Sequence, residues 1–277
     1  MRFKIGFGLR HLAGILAAVV FLLPLYWIGV TSLRMVGAPP SLTIEWWPAD
    51  PQWQNYLTIF ELTPMARYLR NSVIVVAVAS PLSIIVASLA GFSLAQLPDR
   101  FRRPVVYTTV GLLIVPSASV WIFRFQILSW LGLIDTLWAL IAPAFGGTNP
   151  LYILLFYWTF RRAPAEIFEA ARLEGASVLQ SWWRIGLPLA VPAVMAVGVL
   201  SAVHYWSDFV GPVLYIYQPR WYTLPIGLQI LKQLDVTNWP LLMAGAVVMT
   251  VPVAIVFLAM QRFFLNELAQ GSLLDQN

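Results

Sequence analysis

Charged and small residues are concentrated in one stretch of this chain, residues 166–192, which reads EIFEAARLEGASVLQSWWRIGLPLAVP. Pro164 and Glu166 suit the first turn of a helix, because proline needs no amide partner there and a carboxylate favours the positive end of the helix dipole. Gly175 is typical of a helix C-terminus. Paired carboxylate and guanidinium groups beside small residues suit recognition of a partner surface.

The helix predicted over residues 165–174 would be about 15 Å long at ~1.5 Å per residue. Such a helix is too short and too charged to cross a bilayer, so we expect it to lie outside the hydrocarbon, between two spans. Ser177 and Gln180 form a capping-box pattern for a second helix, which continues into a span. This position leaves the short helix open to a soluble partner.

Enzyme chemistry has little support in the sequence. His11 and His204 are far apart, so no imidazole cluster can bind a metal, and zero cysteines leave no thiol nucleophile or thiolate site. Residues 91–95 (GFSLA) are a near miss to a nucleophile elbow, inside a predicted span. No Walker loop occurs, so this chain does not bind ATP by that route. We expect no catalytic residue, no metal and no cofactor on this chain.

The composition predicts an all-α polytopic membrane protein with six transmembrane helices. Hydrophobic residues make up 60% of the 277 residues, charged residues 10%, and the mean hydropathy is +0.76. A ~30 Å hydrocarbon core needs about 20 apolar residues. Six charge-free stretches meet that need: His11–Leu33, Ser72–Leu97, Val105–Phe123, Leu137–Phe160, Ile185–Ser207 and Val236–Gln261.

Two of these predicted spans carry further expectations. Pro143, Gly146, Gly147 and Pro150 predict a kink or a broken helix in the fourth. The first span follows basic residues, as a secretory signal would, but its apolar run exceeds the ~7–15 residues of a signal core. We therefore expect an uncleaved transmembrane helix.

The distribution of basic residues predicts the orientation. With the N-terminus inside, five of the 17 basic residues fall on outer segments, and Arg124 lies at the end of the third span. The inner segments hold the other eleven: Arg2, Lys4, Arg10, Arg100, Arg102, Arg103, Arg161, Arg162, Arg172, Arg184 and Arg262. The positive-inside rule then puts both termini in the cytoplasm. The basic residues do not form a clustered basic face, so the sequence gives no indication of nucleic-acid binding.

Polar residues at membrane depth are candidates for a solute pathway, because such residues are costly in a membrane. The candidates are Arg124, Gln126, Asn149, His204, Asp208 and Gln229, and Trp206 is a further candidate because its ring could stack on a sugar. Three of them have a structural alternative: Asp208 as a helix cap or interface pair, Arg124 snorkelling to the outer surface, and His204 in an interhelical hydrogen bond. The structural role is favoured for these three, and an aromatic ring near a span end is usually an interfacial anchor.

One pattern resembles a known family. Glu169-Ala170-Ala171 is followed after three residues by Gly175, and after nine more residues by Ile185-Gly186-Leu187-Pro188. This pattern resembles the EAA motif of ATP-binding-cassette importer permeases. The spacing matches throughout, and Glu174 replaces the family's usual Asp. Three further features are similar to the smaller permease of maltose-type sugar importers: Asn71-Ser72, residues 206–209 (WSDF) with Pro212, and residues 261–263 (QRF).

The resemblance, over roughly residues 55–265, implies a division of the chain. Residues 1–70 would form the N-terminal transmembrane helix and an extracytoplasmic loop, residues 71–262 the transmembrane domain of the importer, and residues 263–277 a cytoplasmic tail. The short helix would be a cytoplasmic coupling helix. The residues implied in docking an ATPase are Glu166, Glu169, Ala170, Ala171, Arg172, Glu174, Gly175 and Ala176.

The resemblance also implies the partners. A second homologous permease would complete the path, an ATPase dimer would hold ATP and Mg, and an extracytoplasmic solute-binding protein would deliver a sugar or related polyol. The location would be the cytoplasmic (inner) membrane of a bacterium or archaeon, in contact with lipid. The alternatives are a permease for a non-sugar solute, an ion-coupled carrier and an integral-membrane glycosyltransferase. Asp99 and Asp135 are isolated in sequence, which disfavours the last.

Overall fold

A computed structural model describes residues 2–37, 45–146, 149–234 and 238–274, with side chains over 11–37, 45–146, 149–234 and 238–259. No β-strand occurs in these ranges, so the all-α prediction is confirmed. Their α-helices, in chain order, are α1 (Arg2–Ser32), α2 (Asn55–Leu62), α3 (Met65–Gln96), α4 (Asp99–Leu112), α5 (Trp121–Trp130), α6 (Trp138–Ile141), α7 (Pro150–Arg162), α8 (Ala165–Leu173), α9 (Val178–Ser181), α10 (Leu187–Leu189), α11 (Val191–Ser207), α12 (Val210–Tyr215), α13 (Leu224–Leu234) and α14 (Trp239–Leu274).

Four helical stretches among the described residues are long and apolar enough to cross a membrane: His11–Ser32, Met65–Gln96, Trp138–Arg162 and Trp239–Ala259. Two further helix pairs pass the same test only together, because each is sharply bent. Asp99–Leu112 and Ser117–Trp130 meet at 100°, and Val178–Leu189 and Val191–Ser207 meet at 82°. The described chain therefore has six spans if each bent pair counts as one. The predicted sixth span begins at Val236, outside the described residues.

The predicted third span, Val105–Phe123, is not one helix. Helix α4 ends at Leu112, and the chain re-enters helical structure as a 3-10 turn over Ser117–Val120. Pro116 explains the break, since proline lacks the N–H that a continuous helix would need and disfavours helical geometry at the residue before it. A hydropathy window does not register this interruption, because the residues around it are apolar or uncharged.

The fourth predicted span changes its helix type where proline and glycine occur. Helix α6 ends at Ile141, and Ala142–Gly146 form a 3-10 helix. Helix α7 then begins at Pro150, and the Asn149 side chain accepts a hydrogen bond from Leu151 N at 3.1 Å. Gly147, one of the residues that predicted the kink, lies outside the described residues.

The chain divides into two compact units, and residues 1–66 with 224–252 form the first. Within it, Asn55 is buried and its Nδ2 donates to the carbonyl oxygens of Ser32 and Arg34, each at 2.8 Å. The Arg34 guanidinium also pairs with Glu45 at 3.0 Å. These contacts fix the segment that follows α1, whose own apolar side chains are largely exposed, as a lipid-facing helix requires.

Residues 67–223 with 253–277 form the second unit. Its α3 and α7 approach closely at Gly91, where an added Cβ would lie 2.6 Å from Phe156 Cβ and 2.8 Å from Tyr157 N. Small residues permit such backbone contact between membrane helices. Around this contact the buried core includes Phe92, Phe156 and Phe160. The short helix α8 packs on the same core.

Candidate functional site

Two backbone hydrogen bonds cap helix α8 at its C-terminus. Gly175 adopts φ +82°, the left-handed conformation that glycine tolerates without a Cβ penalty. Gly175 N donates to Arg172 O at 3.0 Å and Ala176 N donates to Ala171 O at 2.9 Å. This pair of bonds is a Schellman motif, and it satisfies carbonyls that would otherwise end the helix unpaired.

The next helix begins with the predicted capping box. Gln180 N donates to Ser177 Oγ at 3.2 Å, and Ser177 N donates to Gln180 Oε1 at 2.8 Å. Helix α9 then changes into a π-helix over Trp182–Gly186. Pro188 follows, and the 82° bend comes at Ala190 before α11. A π-helix followed by proline is a local defect of the kind that concentrates bending.

One face of α8 is buried against the membrane helices of its own unit. Phe168 is 3% exposed and Ala171 is buried beside it. The Phe168 ring lies edge-on to Phe92 of α3, with ring centroids 5.4 Å apart. Phe92 in turn meets Phe160 of α7 edge-on at 5.2 Å. A continuous aromatic contact therefore joins the short helix to α3 and α7.

The opposite face of α8 and the turn after it are exposed. Glu166, Glu169, Ala170 and Glu174 point to solvent, and Leu173 is 90% exposed. Further apolar side chains of the following helix are also exposed: Val178, Leu179 and Trp183. Carboxylates, small residues and uncovered apolar groups on one rigid surface suit a protein partner.

Arg172 does not pair with Glu169 within the described part of the chain. The Arg172 guanidinium instead donates to Gln96 Oε1, at the end of α3. This bond adds a polar tie between α8 and α3 beside the aromatic one. Glu169 consequently keeps its carboxylate free of any ion pair among the described residues, available to a partner.

A second feature of the same unit is a cavity of about 680 Å³. Four of the seven pathway candidates line it: Arg124, Asn149, His204 and Asp208. Gln126 and Gln229 are not among the described residues on its wall. Trp206 is buried, at 7% exposure, and is not among the described residues on the cavity wall. Successive helical residues are about 100° apart, so Trp206 points away from the side of α11 that carries His204 and Asp208.

Two of the four lining candidates have structural roles as helix caps. Asp208 Oδ1 accepts a hydrogen bond from Gly211 N at 3.1 Å, and Asn149 caps α7 through Leu151 N. Arg124 is half-buried in α5 and lines the cavity. His204 is exposed, with its ring 5.2 Å from that of Tyr205. The cavity wall therefore carries the Arg124 guanidinium beside two polar side chains, Asp208 and Asn149, that already accept helix-capping hydrogen bonds.

Sequence reasoning missed several hydroxyl groups on this wall. Ser83 Oγ and the Tyr205 hydroxyl are 2.9 Å apart, and Tyr152 and Tyr215 also line the cavity. Ser83 lies within an apolar span and carries no charge, so hydropathy conceals it. The spacing of Ser80 and Ser83, one helical turn apart, is the signal that could have indicated a polar stripe on α3.

Asp135 and Asn71 hold residues 216–222, a segment that contains a 3-10 helix over Pro219–Trp221. Asp135 Oδ1 accepts from Gln218 N at 2.8 Å and Tyr217 N at 3.0 Å. Partial burial acts to raise the pKa of Asp135, but these hydrogen bonds, with the charge of Arg220, lower it below its ordinary value. Asn71, fully buried, donates from Nδ2 to the carbonyl oxygens of Arg220 and Tyr222, each at 2.9 Å.

No group of three His, Asp or Glu side chains within the described ranges could hold a metal ion. Asp99 pairs with Arg102 and, at 3.4 Å, with Arg103. Asp99 and Asp135 are the acidic residues considered above for a membrane glycosyltransferase. Both are engaged in local contacts, and neither is among the described residues that line the cavity.

Comparison with known proteins identifies the family. The model of the binding-protein-dependent transport system inner membrane component family matches residues 79–269. The chain belongs to this family. The match includes the EAA pattern, residues 206–209 with Pro212 and residues 261–263, so the resemblance to importer permeases is confirmed.

Relatives of this permease match nearly its full length. The sulfoquinovosyl glycerol transport system permease protein of Agrobacterium fabrum is 29% identical over 97% of this chain and 94% of its own. A probable ABC transporter permease of Bacillus subtilis is 30% identical over 84% of this chain and 75% of its own. The trehalose/maltose transport system permease protein of Thermococcus litoralis is 26% identical over 95% of both chains.

A solved structure shares the permease fold. A chain in the crystal structure of a bacterial ABC transporter involved in the import of the acidic polysaccharide alginate superposes with a TM-score of 0.77. The match covers 94% of this chain and 96% of the other, at 22% sequence identity. At that identity the likeness establishes the architecture of this permease.

Proposed function

We propose that this chain is the permease subunit of an ATP-driven importer for a sugar or related polyol, and that a second homologous permease completes the path. The observation that carries the proposal is α8: a short helix closed at its C-terminus by a Schellman motif, with one exposed face and one face packed on Phe92 of α3. The relatives named for sulfoquinovosyl glycerol and for trehalose/maltose transport support a sugar as the solute.

Helix α8 would dock a separate ATPase dimer, which would bind ATP and Mg. Its exposed Glu166, Glu169 and Glu174 can meet basic side chains of a partner, and Leu173 can enter an apolar pocket there. Ala170, Gly175 and Ala176 add little bulk, which permits close approach. Since Phe168 and Arg172 tie α8 to α3, movement of the docked ATPase would be transmitted directly to a membrane helix.

The charge distribution supports one orientation in the inner membrane. Arg161 and Arg162 close α7, Arg172 lies on α8 and Arg184 follows on the π-helix. A cytoplasmic position for this basic surface satisfies the positive-inside rule and puts the ATPase-docking surface on the ATP-containing side. Both chain termini would then be cytoplasmic, and residues 216–222 would face the extracytoplasmic solute-binding protein.

The cavity of about 680 Å³ would form this chain's part of the solute path. Arg124 and His204 would face the solute, while Asp208 and Asn149 shape the wall as helix caps. Transport would proceed by alternating access, with ATP binding shifting the population towards the outward-open state. The bend and π-helix before α11 lie between the docking surface and the cavity, where such a change requires flexibility.

A pull-down from native membranes in mild detergent tests the proposal, with partners identified by mass spectrometry. We expect an ABC ATPase and a second permease to co-purify with the tagged chain. Glu169→Lys reverses a charge on the exposed surface of α8, and Gly175→Asp adds a carboxylate to the turn after α8 at a residue with φ +82°. Both variants should lose the ATPase while the second permease is retained. Ile167→Val, a conservative change on the same helix, is the matched control.

Two other outcomes would contradict the proposal. A chain that purifies alone and transports solute in liposomes without ATP would be a self-sufficient carrier. Full ATPase recovery and normal uptake with both α8 variants would remove the docking role from this helix.

A further inference from the structure

We propose that the solute of this importer is an acidic sugar, one that bears a carboxylate or comparable anionic group, and that Arg124 binds that group. This inference rests on the proposed importer function and adds the chemical class of its solute. The observation behind it is a guanidinium on the cavity wall that lacks a carboxylate partner among the described residues.

Arg124 is half-buried in α5 and lines the cavity. Ion pairs within the described residues join Arg34 to Glu45 and Arg102 and Arg103 to Asp99, all outside the cavity. A guanidinium always carries its charge, and removing it from water without a counter-charge is costly. A guanidinium kept at such a place is therefore suited to a ligand that supplies the missing negative charge.

The cavity's own carboxylate does not fill that role. Asp208 lines the same cavity, and its charge and that of Arg124 both act on Tyr205 and Tyr215. Asp208 Oδ1, however, accepts from Gly211 N, and no Arg124–Asp208 ion pair occurs within 4.0 Å in the described structure. The single hydroxyl of Tyr215, which also lies near the guanidinium, can occupy few of its five N–H donors.

The remaining wall suits the rest of a sugar. Hydroxyl groups of Ser83, Tyr152 and Tyr205 can exchange hydrogen bonds with sugar hydroxyls, and Trp121 offers an aromatic face to a sugar ring. A planar guanidinium binds a carboxylate through two parallel, charge-assisted hydrogen bonds, whereas the hydroxyl groups of a neutral sugar supply no negative charge. Arg124 would thus discriminate acidic from neutral sugars.

An untargeted uptake experiment tests this assignment by offering many sugars at once. Cells with the complete importer, and matched cells that lack this chain, are fed a mixture of acidic oligosaccharides from pectin, alginate and glucuronoxylan and neutral ones from starch, cellulose and mannan. Mass spectrometry then identifies the sugars that are depleted only when the chain is present. We expect those sugars to carry a negative charge.

Variants then separate the role of Arg124 from general damage. Arg124→Gln should reduce uptake of the acidic sugar roughly tenfold to a hundredfold at sub-saturating concentration, the range expected for one charge-assisted contact. Arg124→Lys, which keeps the charge, should retain most uptake. Arg70→Gln is the matched control, since Arg70 is exposed and does not line the cavity. Immunoblots of membranes confirm equal amounts of each variant.

Depletion of neutral sugars alone, or equal uptake of acidic sugar by the wild type and Arg124→Gln, would overturn the inference and leave the importer function intact. Depletion of no sugar at all would instead contradict the proposed sugar function, and this inference with it.

Discussion

The Phe168 ring packs edge-on against Phe92, with 5.4 Å between ring centroids and an interplanar angle of 74°. This geometry is favourable for aromatic pairs, and both rings are almost completely buried. Because Phe168 belongs to α8 and Phe92 to α3, a displacement of the short helix must move the membrane helix or break the contact. Phe168 directly precedes the EAA motif, which begins at Glu169, and is not part of it.

Loosening that contact should uncouple the importer. Phe168→Ala removes a buried ring at a cost of about 3–5 kcal/mol, so α8 would detach from α3 while the spans still insert. We expect ATP hydrolysis by the assembled importer to persist while solute uptake per ATP falls at least tenfold. Ile167→Ala is the control, since Ile167 is exposed at 39%. Normal coupling in Phe168→Ala would show that force reaches the spans by another route.

A single methyl group at Gly91 should destabilise the permease. The Cβ of Gly91→Ala would lie 2.6 Å from Phe156 Cβ, 2.8 Å from Tyr157 N and 2.9 Å from Ile153 O, so backbone atoms of α7 would have to move. Overpacking of this kind costs about 1–3 kcal/mol. Gly111→Ala, also helical but with open space around it, should be neutral. Thermal unfolding in detergent compares the two, and equal melting temperatures would refute the close contact.

A substitution at Gly175 should destabilise the turn after α8 through backbone strain and not through a steric clash of the added side chain. A Cβ there meets nothing within 4 Å, so the cost of Gly175→Ala comes from φ +82° and is about 1–2 kcal/mol. Hydrogen exchange at the backbone amides of positions 175 and 176 should accelerate about tenfold in Gly175→Ala. Gly175→Asn, whose side chain tolerates this conformation, should change exchange far less. Equal acceleration in both variants would contradict the view that the Schellman hydrogen bonds depend on a residue that tolerates positive φ at position 175.

The hydrogen bonds that the Asp135 carboxylate accepts from Tyr217 N and Gln218 N should stabilise the fold less at acidic pH. Its pKa is lowered in the folded chain, so the charged form stabilises the fold above the ordinary carboxyl pKa of about 3.9, and this contribution disappears as pH falls through the lowered value. Asp135→Asn keeps the tolerance for its φ of 62° but removes the charge.

The melting temperature of Asp135→Asn should therefore lie below that of the wild type at pH 7, and the difference should shrink towards zero at the lowest pH that the fold survives. A difference that stays constant with pH would contradict an electrostatic role for Asp135.

Local patterns predicted α8 and the start of α9 well, because the determinants of both are local. The glycine C-cap needs one residue that tolerates positive φ, and the capping box needs Ser177 and Gln180 three residues apart. Apolar stretches likewise located the helices, yet the bends near Pro116 and Ala190 were not apparent from hydropathy. Whether a proline interrupts a span depends on what can satisfy the released carbonyl groups in the folded chain.

The all-α membrane class and the capped helix of the EAA motif could be predicted from the residues alone, because both depend on residue type and short spacing. Helix packing, in contrast, determines that Arg124, His204 and Asp208 line one cavity and that Trp206 is not among its described lining residues. It also determines that Arg172 binds Gln96, 76 residues away, and that Phe168 meets Phe92. Contacts between distant residues arise from helix rotation and packing, which apolar periodicity cannot specify where nearly every face is apolar.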